Sequence, residues 1–276
     1  MTAPVTSAVV GGGTMGAGIA HVLLAAGSRV TVAEVGADRA AVAREAVAAS
    51  LRKAEDRGKL AGTAAELLVR LSVVDTLADL PPGAELVIEA VPEDVDLKRR
   101  VLAEVAAACP DAVRASNTSS LSVGALGDDV IGMHFFNPVP VQALLELVVH
   151  DNLAPEIVIK ARTWAESMGK TVIEVRDSPG FATSRLGVAV GLEAIRMVEE
   201  GVASAEDIDT GMRLGYGWPM GPLRLTDLVG LDVRLSIAEH LTRALGPRFT
   251  PPELLRNKVA RGELGRKTGR GFFDWP

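Results

Sequence analysis

Histidine is scarce in this chain, with four among 276 residues, and His134 stands where a reactive side chain is most useful. It closes the apolar run VIGMH and is followed at once by FFNPVP. An imidazole titrates near neutrality, so it can take the proton of a hydroxyl while hydride leaves the same carbon, and return it in the reverse direction. Such a base needs a partner that fixes its tautomer and stabilises the imidazolium, the part a carboxylate plays in a Ser-His-Asp triad. Glu146 is the candidate. Pro138 and Pro140 prevent a helix after His134, and the chain then reaches a second β-rich run, Leu144 to Val149, whose return can bring Glu146 beside the histidine. On these two residues alone, a hydrogen-bonded structural histidine fits as well as a catalytic one.

Two further polar clusters follow apolar runs, EAVPE over Glu89 to Glu93 and SNTSS over Ser116 to Ser120. Asn117 and Ser119 suit helix caps, and a polar loop accounts for the second cluster by itself. Placed after a strand in a nucleotide-binding half, it becomes a donor set for a substrate oxygen. That setting comes from Gly11-Gly12-Gly13-Thr14-Met15-Gly16, which fits G-x-G-x-x-G directly after the apolar run Ala8 to Val10. In such a turn Gly11 allows the tight bend, Gly13 lets the backbone approach a pyrophosphate, and Gly16 lets helix and strand pack closely. The diphosphate rests on backbone N–H groups at the helix N-terminus. Glycine-rich turns are common, but Glu34 ends the next β-rich run, about 20 residues on, where a carboxylate binds the adenosine ribose hydroxyls. An acidic group there repels the 2′-phosphate of NADP, so NAD is the expected cofactor. No metal is expected.

The elements that must position these residues alternate. Arg29 to Ala33, Leu86 to Ile88, Val113 to Ala115, Val130 to Met133, Leu144 to Val149 and Thr171 to Val175 read as strands. Ala37 to Lys59 reads as a long charged helix, and Pro155 to Met168 as another with Ile157, Ala161, Trp164 and Met168 on one face. Alternation predicts an α/β fold, a Rossmann-type, mostly parallel sheet covered on both faces, with ligands beyond the carboxyl ends of the strands. Asp177-Ser-Pro-Gly180 breaks the rhythm. The expected domains are residues 1–180, binding NAD, and an all-helical C-terminal domain over residues 181–276, serving dimerisation and the substrate cleft. In the latter, Leu186 to Val198 is apolar nearly all round, which predicts a helix buried in a core or an oligomer interface and hence a homodimer.

Bulk properties exclude other classes. The net charge of −6 is spread along the chain, unlike a nucleic-acid binder with a basic face. No run of 18 apolar residues marks a membrane span. The start, Met1 to Ser7, lacks a basic region leading into an apolar one, and a single cysteine, Cys109, forbids an internal disulfide. A cytoplasmic protein is expected.

Taken together, GGGTMGAGIA, IEAVPED, SNTSSLSV, GMHFFNPVPV with Glu146, DSPGF, MGPLRLTDLVGLD and the terminal GRKTGRGFFDW resemble the short-chain L-3-hydroxyacyl-CoA dehydrogenase family, which includes the 3-hydroxybutyryl-CoA dehydrogenases. The resemblance covers almost the whole chain. It implies NAD-dependent interconversion of 3-hydroxyacyl-CoA and 3-ketoacyl-CoA in the cleft between two domains. By the same resemblance His134 is the base, Glu146 its orienting partner, and Ser119 and Asn137 contact substrate near the reacting carbon. Gly11, Gly13, Thr14, Met15, Gly16 and Glu34 bind the adenosine half of NAD, while Glu93, Lys98, Asn117 and Lys267 are further cofactor contacts. Ser50 and Arg57 fall where the family touches coenzyme A, on a helix whose Arg52, Lys53, Arg57 and Lys59 form a basic patch for a phosphate-rich substrate. Because Glu55 and Asp56 interrupt that run, a solvated helix face is the alternative.

The chain departs from the family at Ser184, a substrate-binding position where asparagine is common, and at Gln142 and Ala143, where methionine and lysine are common. A serine hydroxyl reaches less far than an amide. These departures bear on acyl preference and motivate an alternative, the same chemistry on a thioester held by an acyl carrier protein. A non-catalytic NAD-binding protein is the reading from another class, and joint retention of His134, Glu146, Ser119 and Asn137 argues against it.

Overall fold

The structure is a computed structural model that describes residues 2–276. Two compact units divide between Asp177 and Ser178. The first holds β1 (Thr6–Val10), α1 (Thr14–Ala25), β2 (Arg29–Ala33), α2 (Ala37–Glu55), α3 (Ala64–Leu68) and β3 (Leu71–Val74). It continues with β4 (Leu86–Glu89), α4 (Val95–Ala108), β5 (Val113–Ser116), β6 (Val130–Phe135), β7 (Leu144–Val149), α5 (Pro155–Ser167) and β8 (Thr171–Arg176).

The eight strands form one sheet in the order β3-β2-β1-β4-β5-β6-β7-β8. Strands β1 and β4 carry consecutive buried apolar residues, Ala8 to Val10 and Leu86 to Ile88, as expected for parallel strands covered on both faces. The order reverses between β1 and β4, which opens a crevice at their carboxyl ends. Pairing is parallel from β3 to β6, but β7 runs antiparallel to β6, and β8 is parallel to β7. The connection 136–143 is shorter than the dozen or more residues a parallel crossover needs, so the chain can only turn back. The main core of this unit lies under α1, α2 and α5, with Ile19, Leu23, Val47 and Leu51 packed against Val30, Val32 and Ile88.

Two expectations need correction here. The helix predicted to run to Lys59 stops at Glu55, because Gly58 takes φ +63° and the N–H of Lys59 turns back to the carbonyl of Ala54 at 2.9 Å. This is a glycine-terminated helix end of the Schellman kind, and it leaves Arg57 and Lys59 in the turn beyond the helix. Strand β3 and helix α3 are additions to the expected elements. Strand β3 has four residues, sits at the sheet edge and is half exposed, so it lacks the alternation that marks a strand. Within a single chain, the helix read as lying in a core or an oligomer interface is buried on one face, with Leu186 67 % exposed.

The second unit is helical, with α6 (Thr183–Glu199), α7 (Ala205–Tyr216), α8 (Pro222–Val229), α9 (Leu231–Leu245) and α10 (Glu253–Ala260), apart from isolated bridges at Gly265–Arg270 and Arg270–Asp274. Val188, Leu192, Ile195, Leu223, Leu231 and Leu241 make its core. Buried Asp209 caps α8, accepting from the N–H groups of Leu223 and Arg224 at 2.8 Å each. Buried Asp227 holds the chain end, accepting from Phe272 N, Phe273 N and Trp275 Nε1. Among the described residues no helix is long and apolar enough to cross a membrane.

Candidate active site

The glycine turn occupies the crevice at the switch point. Gly11 lies at φ +99°, and a Cβ there would come 2.7 Å from the carbonyl oxygen of Ala90 at the end of the neighbouring strand. A Cβ at Gly16 would fall 1.7 Å from the carbonyl oxygen of Gly11, so α1 closes on the turn only because Gly16 has no side chain. At Gly13 the situation is opposite: nothing lies within 4 Å of an added Cβ, leaving open space on the approach to the helix. The first turn of α1, which includes Thr14 and Met15, is capped by no side chain and carries no acidic residue. Its N–H groups therefore suit an anion, whereas α4 has its N-terminus filled by Asp94. Glu34 closes the crevice at the end of β2. Its Oε2 accepts from Gly12 N at 2.8 Å, its Oε1 accepts from Val35 N at 2.9 Å, and Arg39 lies 3.3 Å away. An open lane over Gly13, an uncapped helix and a fixed carboxylate fit a dinucleotide whose ribose carries free hydroxyls.

The next strand ends carry a buried polar network. Glu89 at the end of β4 is fully buried and accepts from Lys98 Nζ at 2.7 Å, Ser116 Oγ at 2.6 Å and Val91 N at 2.6 Å. Lys98 also donates to the carbonyl of Val91 and lies 3.4 Å from Glu93, so its ammonium is spent inside the protein. Glu93 in turn gathers the loop after β5, with Oε1 accepting from Thr118 Oγ1, Ser119 N, Ser120 N and Ser120 Oγ between 2.7 and 3.1 Å. Burial alone would raise the pKa of Glu93, but those hydrogen bonds and the charge of Lys98 outweigh it and hold it below the usual carboxylate range. Asn117 ties the same loop to the sheet, its Oδ1 accepting from Phe135 N at 2.9 Å.

His134 and Glu146 sit directly opposite each other in the β6–β7 register. Because opposed residues of an antiparallel pair project to the same face, the reversal after β6 is what brings them together. His134 Nδ1 lies 2.7 Å from Glu146 Oε2, with the histidine 6 % exposed and the glutamate fully buried. The ring of Phe136 packs 4.5 Å from the imidazole, centroid to centroid. Asn137 follows in an exposed stretch, joined to Pro138 by a cis peptide bond.

Sequence reasoning missed the residue that holds this stretch. Lys170, just before β8, is buried and donates to the carbonyls of Val139 at 2.5 Å and Gln142 at 2.8 Å. A lone lysine after a glycine gives no signal in one dimension. Of the residues expected to meet coenzyme A, Ser50 Oγ is 2.8 Å from Nδ1 of the buried His21, bridging α2 to α1, and Arg57 is exposed beyond α2. In the second unit, Ser184 is half-buried in the first turn of α6, and Lys267 Nζ pairs with Asp232 Oδ2 at 2.5 Å.

A doubly wound sheet with a glycine turn at its switch point, followed by a helical unit, defines a dinucleotide-binding protein. Residues 6–178 match the family described as 3-hydroxyacyl-CoA dehydrogenase, NAD binding domain, and residues 180–275 match its C-terminal domain. The chain belongs to the 3-hydroxyacyl-CoA dehydrogenase family; it is an oxidoreductase, and NAD is its cofactor. Among its relatives, a 3-hydroxybutyryl-CoA dehydrogenase of Mycobacterium tuberculosis is 41 % identical over 97 % of each chain. A probable 3-hydroxybutyryl-CoA dehydrogenase of Bacillus subtilis is 40 % identical over 97 % of this chain and 96 % of the relative. The crystal structure of an (S)-3-hydroxybutyryl-CoA dehydrogenase from Ralstonia eutropha is similar with a TM-score of 0.93 and 37 % identity, covering 99 % of this chain and all of that one.

Proposed function

We propose that the protein interconverts short-chain 3-hydroxyacyl-CoA and 3-ketoacyl-CoA thioesters, with His134 as the general base. The observation that carries this reading is the buried 2.7 Å contact of His134 Nδ1 with Glu146 Oε2. With Nδ1 held by the carboxylate, Nε2 is the nitrogen that takes the substrate's hydroxyl proton in oxidation and returns it in reduction. Glu146 stabilises the imidazolium formed in that step. Ser119, fixed through Glu93, and Asn137, beside the stretch that Lys170 holds, position the substrate oxygen. Bound NAD supplies the hydride acceptor for oxidation and, reduced, the donor for the reverse. Gly11, Gly13, Thr14, Met15, Gly16 and Glu34 bind its adenosine half, while Glu93, Lys98, Asn117 and Lys267 serve the cofactor either directly or by fixing the groups that touch it. Ser50 and Arg57 are assigned to coenzyme A and Ser184 to the acyl group.

Two relatives named for 3-hydroxybutyryl-CoA favour a short acyl chain. The second unit serves dimerisation, and the protein works in the cytoplasm. The test follows NADH absorbance with acetoacetyl-CoA, repeated with NADPH. Rapid loss with NADH and slow loss with NADPH is the expected result. Binding of NADH without turnover of acetoacetyl-CoA, together with turnover of acetoacetyl on acyl carrier protein, would move the assignment to the carrier-bound substrate.

A further inference from the structure

The helical unit contains a buried positive charge with no counter-charge. Arg234, at the end of the first turn of α9, is 5 % exposed, and its Nε is buried without a hydrogen-bond partner. No carboxylate pairs with it among the described residues, and burial is the one influence on its guanidinium, lowering the pKa only to about 10, so it stays charged at neutral pH. Removing an arginine from water without a partner is costly, and buried charges are as a rule paired, so an arriving anion would relieve that cost. A second orphan faces the same place: Thr226 Oγ1 is also buried and unpaired.

Two glycines of α6 make the space. A Cβ at Gly191 would meet Thr226 Oγ1 at 3.1 Å and Arg234 Nε at 3.6 Å, and a Cβ at Gly187 would meet Arg234 Nη1 at 3.5 Å and no other neighbour within 4 Å. The guanidinium therefore runs along α6 from Gly191 towards Gly187, pointing at the N-terminal turn of that helix. At roughly 100° per residue, Ser184, Gly187 and Gly191 share one face. Beside Gly187, next to Nη1, a cradle stays open that a side chain would fill. The exposed apolar face of α6, marked by Leu186, lies on the far side, so a copy docking there would not reach Arg234.

We propose that Arg234 anchors a carboxylate-binding subsite in the helical unit, which selects 3-hydroxyacyl thioesters whose acyl chain ends in a carboxylate. The planar fork of the guanidinium matches the two oxygens of a carboxylate, with the Thr226 and Ser184 hydroxyls as further donors. A phosphate, bulkier and more highly charged, calls for several cationic groups, and here there is one. The substrate is the source of the carboxylate because Ser184, one turn from Gly187, belongs to the acyl group in the function proposed above; the inference rests on that reading.

The test compares kcat/KM for 3-hydroxyadipyl-CoA with that for 3-hydroxyhexanoyl-CoA, equal in chain length but ending in a methyl. The wild type is expected to prefer the carboxylate by about 10- to 100-fold, the range of a charge-assisted hydrogen bond. Arg234→Met keeps an unbranched apolar stem and removes the guanidinium, and it is expected to erase the preference and to melt no lower than wild type without substrate. Gly187→Ala, which improves helix propensity while filling the cradle, is expected to lose the preference at unchanged or higher Tm. Absence of the preference in the wild type, or its survival in both variants, overturns the subsite. If neither thioester is oxidised, the functional reading fails first, and the subsite is judged by glutarate alone: protection of the wild type against thermal unfolding but not of Arg234→Met supports it, and equal or no protection overturns it.

Discussion

At the scale of single residues the site is a set of carboxylates given different tasks by their neighbours. Glu146 meets the imidazole of His134 inside the sheet, Glu93 is consumed by the loop it holds, and Glu34 stands at the open lip of the dinucleotide turn. General base catalysis is worth about 10²–10⁴-fold, so His134→Gln should lower kcat by that factor while NADH affinity, read by fluorescence titration, stays unchanged. Turnover near the wild-type rate would remove His134 from the role. Glu34→Ala should narrow the gap in kcat/KM between NADH and NADPH, chiefly by relieving repulsion of the 2′-phosphate; an unchanged ratio would place cofactor selection elsewhere. A third residue acts on stability. Burial, then the charge of Lys170, lowers the pKa of His21 from 6.5 to about 4. Between those values the unfolded chain binds a proton that the folded chain refuses. Stability is therefore complete above the unfolded pKa and declines as pH falls towards 4, by up to about 3 kcal/mol. Urea unfolding at neutral and mildly acidic pH should show this decline in the wild type and a smaller one in His21→Asn; equal slopes would trace the acid sensitivity to other groups.

At the scale of elements, the decisive event is the reversal of β7. Residues 136–143 return the chain, and Lys170 pins that return by two carbonyls. Lys170→Met leaves both acceptors without their donor, an expected loss of about 2–3 kcal/mol, with hydrogen exchange accelerated first over residues 136–143. Uniform acceleration across the sheet would instead mean that Lys170 supports the whole unit. Much of this was legible beforehand. Two prolines after His134 spoke against a helix, and Leu144 to Val149 read as a strand, so connectivity allowed Glu146 to return beside the histidine, while the contact itself rests on the β6–β7 register. The glycine turn and Glu34 were equally plain, because close backbone approach leaves a residue-type signature. What sequence did not disclose depends on three-dimensional neighbours. Strand β3 is too short and too exposed to show a period, and the early end of α2 hinges on the left-handed conformation of Gly58. The burial of Lys98 between Glu89 and Glu93 and the clamp by Lys170 both place lysines where composition would put solvent-facing charge.

At the scale of the whole molecule, both units leave some large apolar side chains exposed. The second is small and marginal for a self-sufficient core, yet it leaves Leu186 67 % exposed and Leu214 and Tyr216 each 78 % exposed. Single exposed leucines need no explanation, and Met197 packs against the core of the unit, but Leu186 and the half-buried Val190 mark a second apolar side of α6 that the proposed homodimer would cover. A two-fold contact covers it economically, since the same face serves both copies. Leu186→Glu puts a charge into the middle of such a contact and should convert a dimer to a monomer in light scattering. A monomer formed this way should also melt at lower temperature, since the second unit loses its cover, while NADH binding by the first unit persists. A wild type that already scatters as a monomer at micromolar concentration would refute the dimer, and the exposed face of α6 would then have to be covered by something other than a second copy of this chain.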